Sequence, residues 1–240
     1  MPLFGFSQKF NKEFFLLFDK DWQQITDNKK ATYFIHAKKM SDTAWLWNYY
    51  HYTGPKIRTE TYRDPEGNQP HGFFAYYSDK GYLDSCGDVF ETKKDGIWTY
   101  FRGDSGKVYL RNHYRKGILY RTDDYSKEET KEDSTKPASS VEVESEFTGS
   151  TSAWVKYLQK NLKYPERAIN AEAMGTVWIL FIVDTKGQVT EPIVAKSVEY
   201  SIDEEAMRII MKSPSWTPAF QNGRKVKSYK KQPIIFALEK

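Results

Sequence analysis

The sequence predicts two domains: an all-β meander over residues 1–121, and an α+β domain over residues 147–240 with a three-stranded antiparallel sheet and two helices. Two observations support this fold class. An aromatic motif recurs in the first half, whereas the second half combines long apolar runs with one stretch of helical periodicity. A chain of 240 residues is long enough to give each half its own core.

The N-terminal domain begins with short apolar runs separated by polar turns. Phe14–Phe18 and Ala31–His36 are the clearest of these runs, and we expect two or three short strands before residue 46.

A repeat follows over residues 46–121. Its three aromatic motifs start 27 and 24 residues apart, and each is followed by a glycine: Trp47–Tyr50, Phe74–Tyr77 and Trp98–Phe101. Such spacing predicts a meander in which every hairpin packs aromatic side chains against the next. The pattern resembles variant MORN repeats of antitoxin-like proteins of the YwqK kind, which implies architecture and a binding role. Core packing is the favoured interpretation of the aromatic residues, and a ligand-binding stripe is the alternative.

Residues 122–146 separate the two domains. They hold 3 basic and 9 acidic side chains, whereas residues 1–121 hold 19 basic and 14 acidic, and residues 147–240 hold 14 and 9. Such a polar, acidic segment predicts a flexible linker, in which Val141–Val143 could pair as an edge strand.

The C-terminal domain opens with helical signals and a hairpin. Ser152–Asn161 has helical spacing, and Pro165 suits the first position of a further helix. Thr176–Val183 is apolar on both faces and is expected to be a central strand. A turn at Asp184–Gly187 then leads into a second strand, Val189–Val198.

A helix and a closing strand complete this domain. Ser201–Glu204 reads as a capping box, and the helix should end at Ser213-Pro214. Its expected buried face comprises Ile202, Ala206, Ile209 and Ile210. After Trp216–Pro218 and a turn at Asn222-Gly223, Pro233–Leu238 is the last predicted strand.

These motifs, in this order, resemble the C-terminal domain of TonB, the envelope protein that transmits inner-membrane energy to outer-membrane receptors. Two departures are Phe147–Thr151, where many such domains carry a Pro-Gly-Gly turn, and Lys163, where a Gln is common. The resemblance implies that a free sheet edge accepts an extended receptor segment as an added strand. Energy transmission in the family also needs a membrane helix and a long Pro-rich span, and neither occurs in these 240 residues. The resemblance therefore implies partner binding for this chain, but it does not imply force transmission.

The closing strand is the chosen binding edge. The predicted partner-binding residues are Tyr164, Pro165, Arg167, Lys230, Lys231, Gln232, Ile234, Ile235 and Phe236. Nearby cations either attract an acidic partner or protect the edge from aggregation: Arg224, Lys225, Lys227, Lys230 and Lys231. Tyr164-Pro165 matches the family's receptor-contacting motif. In the equally favoured alternative, Pro165 starts a helix and Tyr164 packs beneath that helix. A homodimer through sheet edges is a further expectation.

Catalysis finds little support in the sequence. The four histidines have no metal-ligand spacing, and Cys86 has no evident base. We therefore expect no enzyme activity, no cofactor and no metal. Basic residues are interspersed with acidic ones, so nucleic-acid binding is not expected either. The alternative function is a structural or antitoxin-like interaction module carried by the aromatic repeats.

The N-terminus bears on localisation. Met1–Gln8 resembles the end of a secretory signal, and an ordinary first strand is the alternative. No apolar run approaches the roughly 20 residues of a membrane span, and mean hydropathy is −0.72. The signal interpretation predicts a periplasmic or envelope protein.

Overall fold

The computed structural model describes residues 12–126 and 143–238. The chain divides into two compact units, Met1–Glu129 and Thr130–Lys240. The predicted signal remnant Met1–Gln8 and most of the predicted linker lie outside the described residues.

The described N-terminal unit is built from ten strands and one short 3-10 turn, Asn28–Lys30. The strands are β1 (Glu13–Phe18), β2 (Gln24–Ile25), β3 (Tyr33–Ser41), β4 (Ala44–His51), β5 (Lys56–Tyr62), β6 (Gly72–Tyr77), β7 (Leu83–Phe90), β8 (Lys93–Arg102), β9 (Lys107–Arg115) and β10 (Ile118–Asp124). They form one antiparallel sheet in which β3 to β10 follow one another in order, while β1 lies between β3 and β2. The predicted meander is confirmed, and its identity as MORN repeats stays a prediction. Strand β10 runs to Asp124, three residues into the segment expected to be linker.

The aromatic repeat maps onto alternate strands. The three motifs lie on β4, β6 and β8, so one repeat corresponds to two successive strands. Trp47, Phe74 and Trp98 are 2%, 5% and 1% exposed. They are therefore core residues, and a ligand-binding stripe made of these three side chains is excluded.

Basic side chains cover part of this aromatic layer. The Lys94 ammonium lies 4.1 Å from the ring centroid of Trp98, and the Arg58 guanidinium lies 3.9 Å from that of Tyr49. A cation over an aromatic face is attracted by the ring quadrupole while its alkyl stem shields apolar surface from water. Below Trp98, a Cβ on Gly87 would lie 2.6 Å from the ring. Glycine at this position is thus required by the close approach of the indole.

The described C-terminal unit is an α+β structure. Its elements are β11 (Glu146–Phe147), α1 (Ser150–Asn161), α2 (Glu166–Asn170), β12 (Gly175–Val183), β13 (Val189–Lys196), α3 (Tyr200–Met211), β14 (Trp216–Thr217), β15 (Ala219–Gln221), β16 (Arg224–Val226) and β17 (Ser228–Phe236). A three-stranded sheet has the order β13-β12-β17, and β11–β14 and β15–β16 form two small ladders. The predicted central strand and the two longer helices are confirmed. The further helix predicted from Pro165 is α2, a short helix of five residues.

The last strand was predicted too short. Strand β17 begins at Ser228, five residues before Pro233, and pairs with β12 at every position to Phe236. Lys230, Lys231 and Gln232 take part because strand pairing uses the backbone, and an edge strand tolerates polar side chains.

Helix α3 packs its apolar face on the sheet. Ile202, Ala206, Ile209 and Ile210 are fully buried, as predicted from their spacing. On β12 the side chains of Val177, Ile179, Phe181 and Val183 are buried as well, whereas the alternate residues are half-buried. The sheet therefore has one face covered by helices and one face without such cover in the described chain.

The start of α3 differs from the predicted capping box. Glu199, not Ser201, is the N-cap, and its carboxylate accepts hydrogen bonds from the backbone N–H (2.8 Å) and the hydroxyl (2.6 Å) of Ser201. The helix begins at Tyr200, so Ser201 lies inside the first turn and donates instead of accepting. The capping-box prediction is wrong because a glutamate two residues upstream satisfies the same free N–H groups.

The β12–β13 turn packs tightly against β14. Gly187 has φ of 81°, and its carbonyl accepts a 2.7 Å hydrogen bond from the Trp216 N–H. The Trp216 ring then meets Phe181 at 5.0 Å and Phe147 at 5.4 Å between ring centroids. This aromatic cluster ties the segment that precedes α1 to the central strand. Nearby, Val143 pairs with Phe220, so this end of the predicted Val141–Val143 strand lies against β15.

Candidate partner-binding edge

The three-stranded sheet offers two edges that differ in regularity. Edge strand β13 has a left-handed residue, Glu191, with φ of 52°, followed by Pro192, and its pairing with β12 shifts register twice. Edge strand β17 pairs with β12 through nine consecutive residues without a shift. A regular strand presents its outer backbone groups at even spacing, so β17 is the better template for an added strand.

The side chains of β17 alternate between the two faces of the sheet. Ile234 and Phe236 are buried on the helix-covered face. Tyr229 and Ile235 are 69% and 67% exposed, and alternation places both on the opposite face. The edge therefore carries two large exposed side chains that an added strand could cover.

The proline in β17 indicates which backbone groups point outward. Pro233 has no N–H and pairs with Trp178, and proline within a sheet is placed where its nitrogen faces away from the neighbouring strand. In an antiparallel strand the backbone groups of every second residue point to the same side. The N–H groups of Tyr229 and Ile235, four and two residues from Pro233, therefore point away from β12 as well. We infer that these two residues present donors on the outer edge of β17, which pairs with no further strand among residues 12–126 and 143–238.

The basic residues around this edge do not share one face. Lys230 and Lys231 are adjacent, so their side chains point to opposite faces, and the Lys231 ammonium lies 4.9 Å from the ring centroid of Trp178. Arg224, Lys225 and Lys227 are exposed in and just after β16.

One carboxylate lies at the same end of the sheet. Asp184 accepts the backbone N–H groups of Gln188 and Lys186, both at 2.8 Å. The hydrogen bond from Gln188 is the main cause that lowers the pKa of Asp184 below its ordinary value, and Lys186 and Lys227 lower it further. This acid stays ionised at neutral pH and offsets part of the positive charge.

Tyr164 lies beside the end of β17. Its hydroxyl donates a 2.6 Å hydrogen bond to the Ala173 carbonyl, and its ring meets Phe236 edge-on at 5.6 Å. Burial raises the pKa of this phenol. Pro165 was predicted at the first helical position, but it is the N-cap of α2, one position before the first helical residue, Glu166. The structure thus brings Tyr164 and Phe236 together, with Pro165 next in the chain.

Arg167 is turned toward the interior. Its Nε donates a 2.6 Å hydrogen bond to the fully buried carboxylate of Glu199, while its side chain is 35% exposed. This pair joins α2 to the N-terminus of α3, so the structure gives Arg167 an intramolecular partner.

Two residues of this region were missed from the sequence. Glu199 gave no signal, because serine is the commoner capping residue and Ser201 fitted the expected pattern. Tyr229 was missed because the strand was predicted to start after it. An alternation test extended upstream through Lys230 and Lys231 would have found it.

Features of other site classes are not evident in the described chain. Among residues 12–126 and 143–238, no cluster of three or more His, Cys, Asp or Glu side chains is placed to hold a metal ion. In the same ranges, no helix combines the length and the apolar character that crossing a bilayer requires.

Comparison with known proteins identifies the C-terminal unit. Residues 160–238 match the family described as Gram-negative bacterial TonB protein C-terminal. No curated protein matches the chain. The matched range contains α2, the three-stranded sheet and α3, which together present the β17 edge. Residues 160–238 therefore match the TonB C-terminal family, whose members are non-enzymatic protein-interaction domains of the periplasm and cell envelope.

Proposed function

We propose that the C-terminal unit binds an extended segment of another envelope protein, which adds as a fourth strand to the free edge of β17. The observation that carries the proposal is the contrast between edges: β17 pairs without a break over nine residues, whereas β13 has two register shifts and Pro192. Backbone hydrogen bonds would supply affinity, and alternate side chains would supply selectivity.

The chemistry of the edge favours an acidic and partly apolar partner. Exposed Tyr229 and Ile235 offer apolar contact, while Lys227, Lys230 and the β16 cations attract negative charge. A partner strand that covers the two exposed side chains would remove them from water. Periplasmic segments of outer-membrane receptors are the partner class that the family suggests, and a role related to energy transduction and transmembrane transport is proposed on that basis.

The alternative function, a structural or antitoxin-like interaction module carried by the aromatic repeats, has less support. Trp47, Phe74 and Trp98 are core residues, so a binding role of the N-terminal unit would need other side chains. We therefore assign the primary binding role to the C-terminal unit.

Two variants of one residue test the proposal. Peptides copied from the periplasmic segments of outer-membrane receptors of the same organism are titrated against the full chain. Ile235→Pro removes the outward N–H, and Ile235→Ala, the matched control, removes side chain but keeps the donor. We expect the proline variant to bind at least about tenfold more weakly than the alanine variant, because it loses a ladder hydrogen bond and interrupts the template.

Circular dichroism establishes that both variants remain folded. Equal affinities of folded Ile235→Pro and the unchanged protein would contradict strand addition at β17. A loss caused equally by both variants would assign the contact to the side chain instead of the backbone.

A further inference from the structure

Strand β10 forms the outer edge of the N-terminal sheet. In the described chain it pairs with β9 and ends the strand order on that side. Its first three residues, Ile118, Leu119 and Tyr120, are 71%, 48% and 59% exposed. Three consecutive exposed large hydrophobic residues on an edge strand mark a surface prone to association.

The hydrogen bond just after β10 indicates which of its backbone N–H and C=O groups face β9. The Tyr125 N–H donates to the Tyr109 carbonyl at 2.9 Å, in continuation of the β9–β10 register. By alternation, Arg121 and Asp123 also direct their backbone groups at β9, so those of Thr122 point outward. A register shift between Leu119 and Arg121 breaks the regular ladder there. The regular part of the edge therefore starts at Arg121.

Charged side chains lie on both sides of Thr122. The Arg121 Nε is 2.7 Å from one Asp123 oxygen, and the His113 Nε2 is 2.8 Å from the other. Hydrogen bonds from His113 and then Arg121 lower the pKa of Asp123, so the carboxylate is charged at neutral pH. Arg121 and Asp123 both lie on the face that His113 occupies.

Two copies of this edge can pair around a two-fold axis in few ways. A residue whose backbone N–H and C=O groups point outward must pair with a residue of the same orientation. The two-fold axis therefore lies beside one residue of β10, which faces its own copy, and not beside the bond between two residues. An axis through Arg121, Asp123 or Asp124 places two like charges directly opposite each other, which is destabilising. An axis through Thr122 instead places Arg121 opposite Asp123 of the second copy, and this favourable pair occurs twice.

We propose that a second copy of this chain binds at β10, antiparallel and with the two-fold axis at Thr122, so that the two N-terminal sheets form one continuous sheet. In this register the regular part of the edge pairs Thr122 with its own copy and Arg121 with Asp123 on either side of it. The proposed contact uses β10 and no residue of β17.

Cysteine trapping tests the geometry directly. Cα atoms of a hydrogen-bonded antiparallel pair lie about 5.5 Å apart, within the range that a disulfide spans. Thr122→Cys should give a disulfide-linked dimer of the full chain under mild oxidation. The native Cys86 does not interfere, since burial, followed by the charge of Asp88, raises the pKa of its thiol to about 11. Lys80→Cys, on the exposed β6–β7 turn, is the control for random collision, and Ile235→Cys reports pairing through β17.

A charge swap tests the register. Arg121→Asp alone or Asp123→Arg alone places like charges opposite each other in the dimer and should weaken association by about tenfold. The double variant, Arg121→Asp with Asp123→Arg, restores both cross-strand pairs and should recover it. Analytical ultracentrifugation measures the association constant of each variant.

Each outcome decides the proposal. Crosslinking at Thr122→Cys well above that at Lys80→Cys, together with rescue by the double variant, supports it. A monomer at all accessible concentrations, crosslinking confined to Ile235→Cys, or absence of rescue overturns it.

Discussion

Replacing Gly187 by alanine should destabilise the C-terminal unit far more than the same change at Gly223. Both glycines have positive φ, 81° and 69°. A Cβ at Gly187 would lie 2.0 Å from the Trp216 carbonyl oxygen, whereas a Cβ at Gly223 would meet nothing within 4 Å. The pair of variants separates backbone strain, which both share, from a steric clash that one of them has.

The magnitudes follow from these contacts. A left-handed alanine costs about 1–2 kcal/mol at either position. At Gly187 ordinary contact would require backbone to move by more than 1 Å, which adds an overpacking cost of about 1–3 kcal/mol and weakens the hydrogen bond from Trp216, worth about 1 kcal/mol. We therefore expect a loss of about 3–6 kcal/mol for Gly187→Ala and about 1–2 kcal/mol for Gly223→Ala.

Urea unfolding followed by near-ultraviolet circular dichroism measures both losses. The Trp216 cluster reports the C-terminal unit, and the transition of the N-terminal unit serves as an internal reference. Equal free energies of unfolding for the two variants would refute the packing of the β12–β13 turn on β14.

Two further predictions concern the N-terminal unit. Gly87→Ala, whose Cβ would lie 2.6 Å from Trp98, should lower the free energy of unfolding by about 2–3 kcal/mol, whereas Gly103→Ala, with open space around it, should change it by less than about 1 kcal/mol. Similar losses in calorimetry would contradict the close approach of the indole. The raised pKa of Cys86, about 11, predicts slow alkylation of the folded chain at pH 8 and rapid alkylation in urea. Because the folded thiol binds its proton more tightly than the unfolded one, its contribution to stability is present below pH 9 and is lost as pH rises from 9 toward 11. Stability independent of pH in this window, once compared with Cys86→Ala, would argue against burial of the thiol.

The fold could be predicted from the sequence where the pattern was strong. Thr176–Val183 is long, apolar and followed by a clear turn, and it is the central strand. The aromatic repeat predicted the meander correctly, because its spacing matches the length of two strands and their connections.

The prediction failed where tertiary context decides. Glu199 caps α3 because Arg167, distant in sequence, pairs with its carboxylate, and one sequence gives no sign of that contact. The start of β17 was missed because Lys230 and Lys231 look like a loop, although pairing with β12 makes them strand. For the candidate site, the closing strand could be chosen, but the break in β13 and the exposure of Tyr229 needed the structure.

Hydrogen exchange at β17 shows whether a partner segment pairs with this strand. Amide exchange of the full chain is measured with and without a receptor-segment peptide bound. We expect the N–H groups of Tyr229 and Ile235 to exchange much more slowly in the complex, while those of β13 are unchanged. Protection on β13, or on the helices with none at Tyr229 and Ile235, would contradict strand addition at β17.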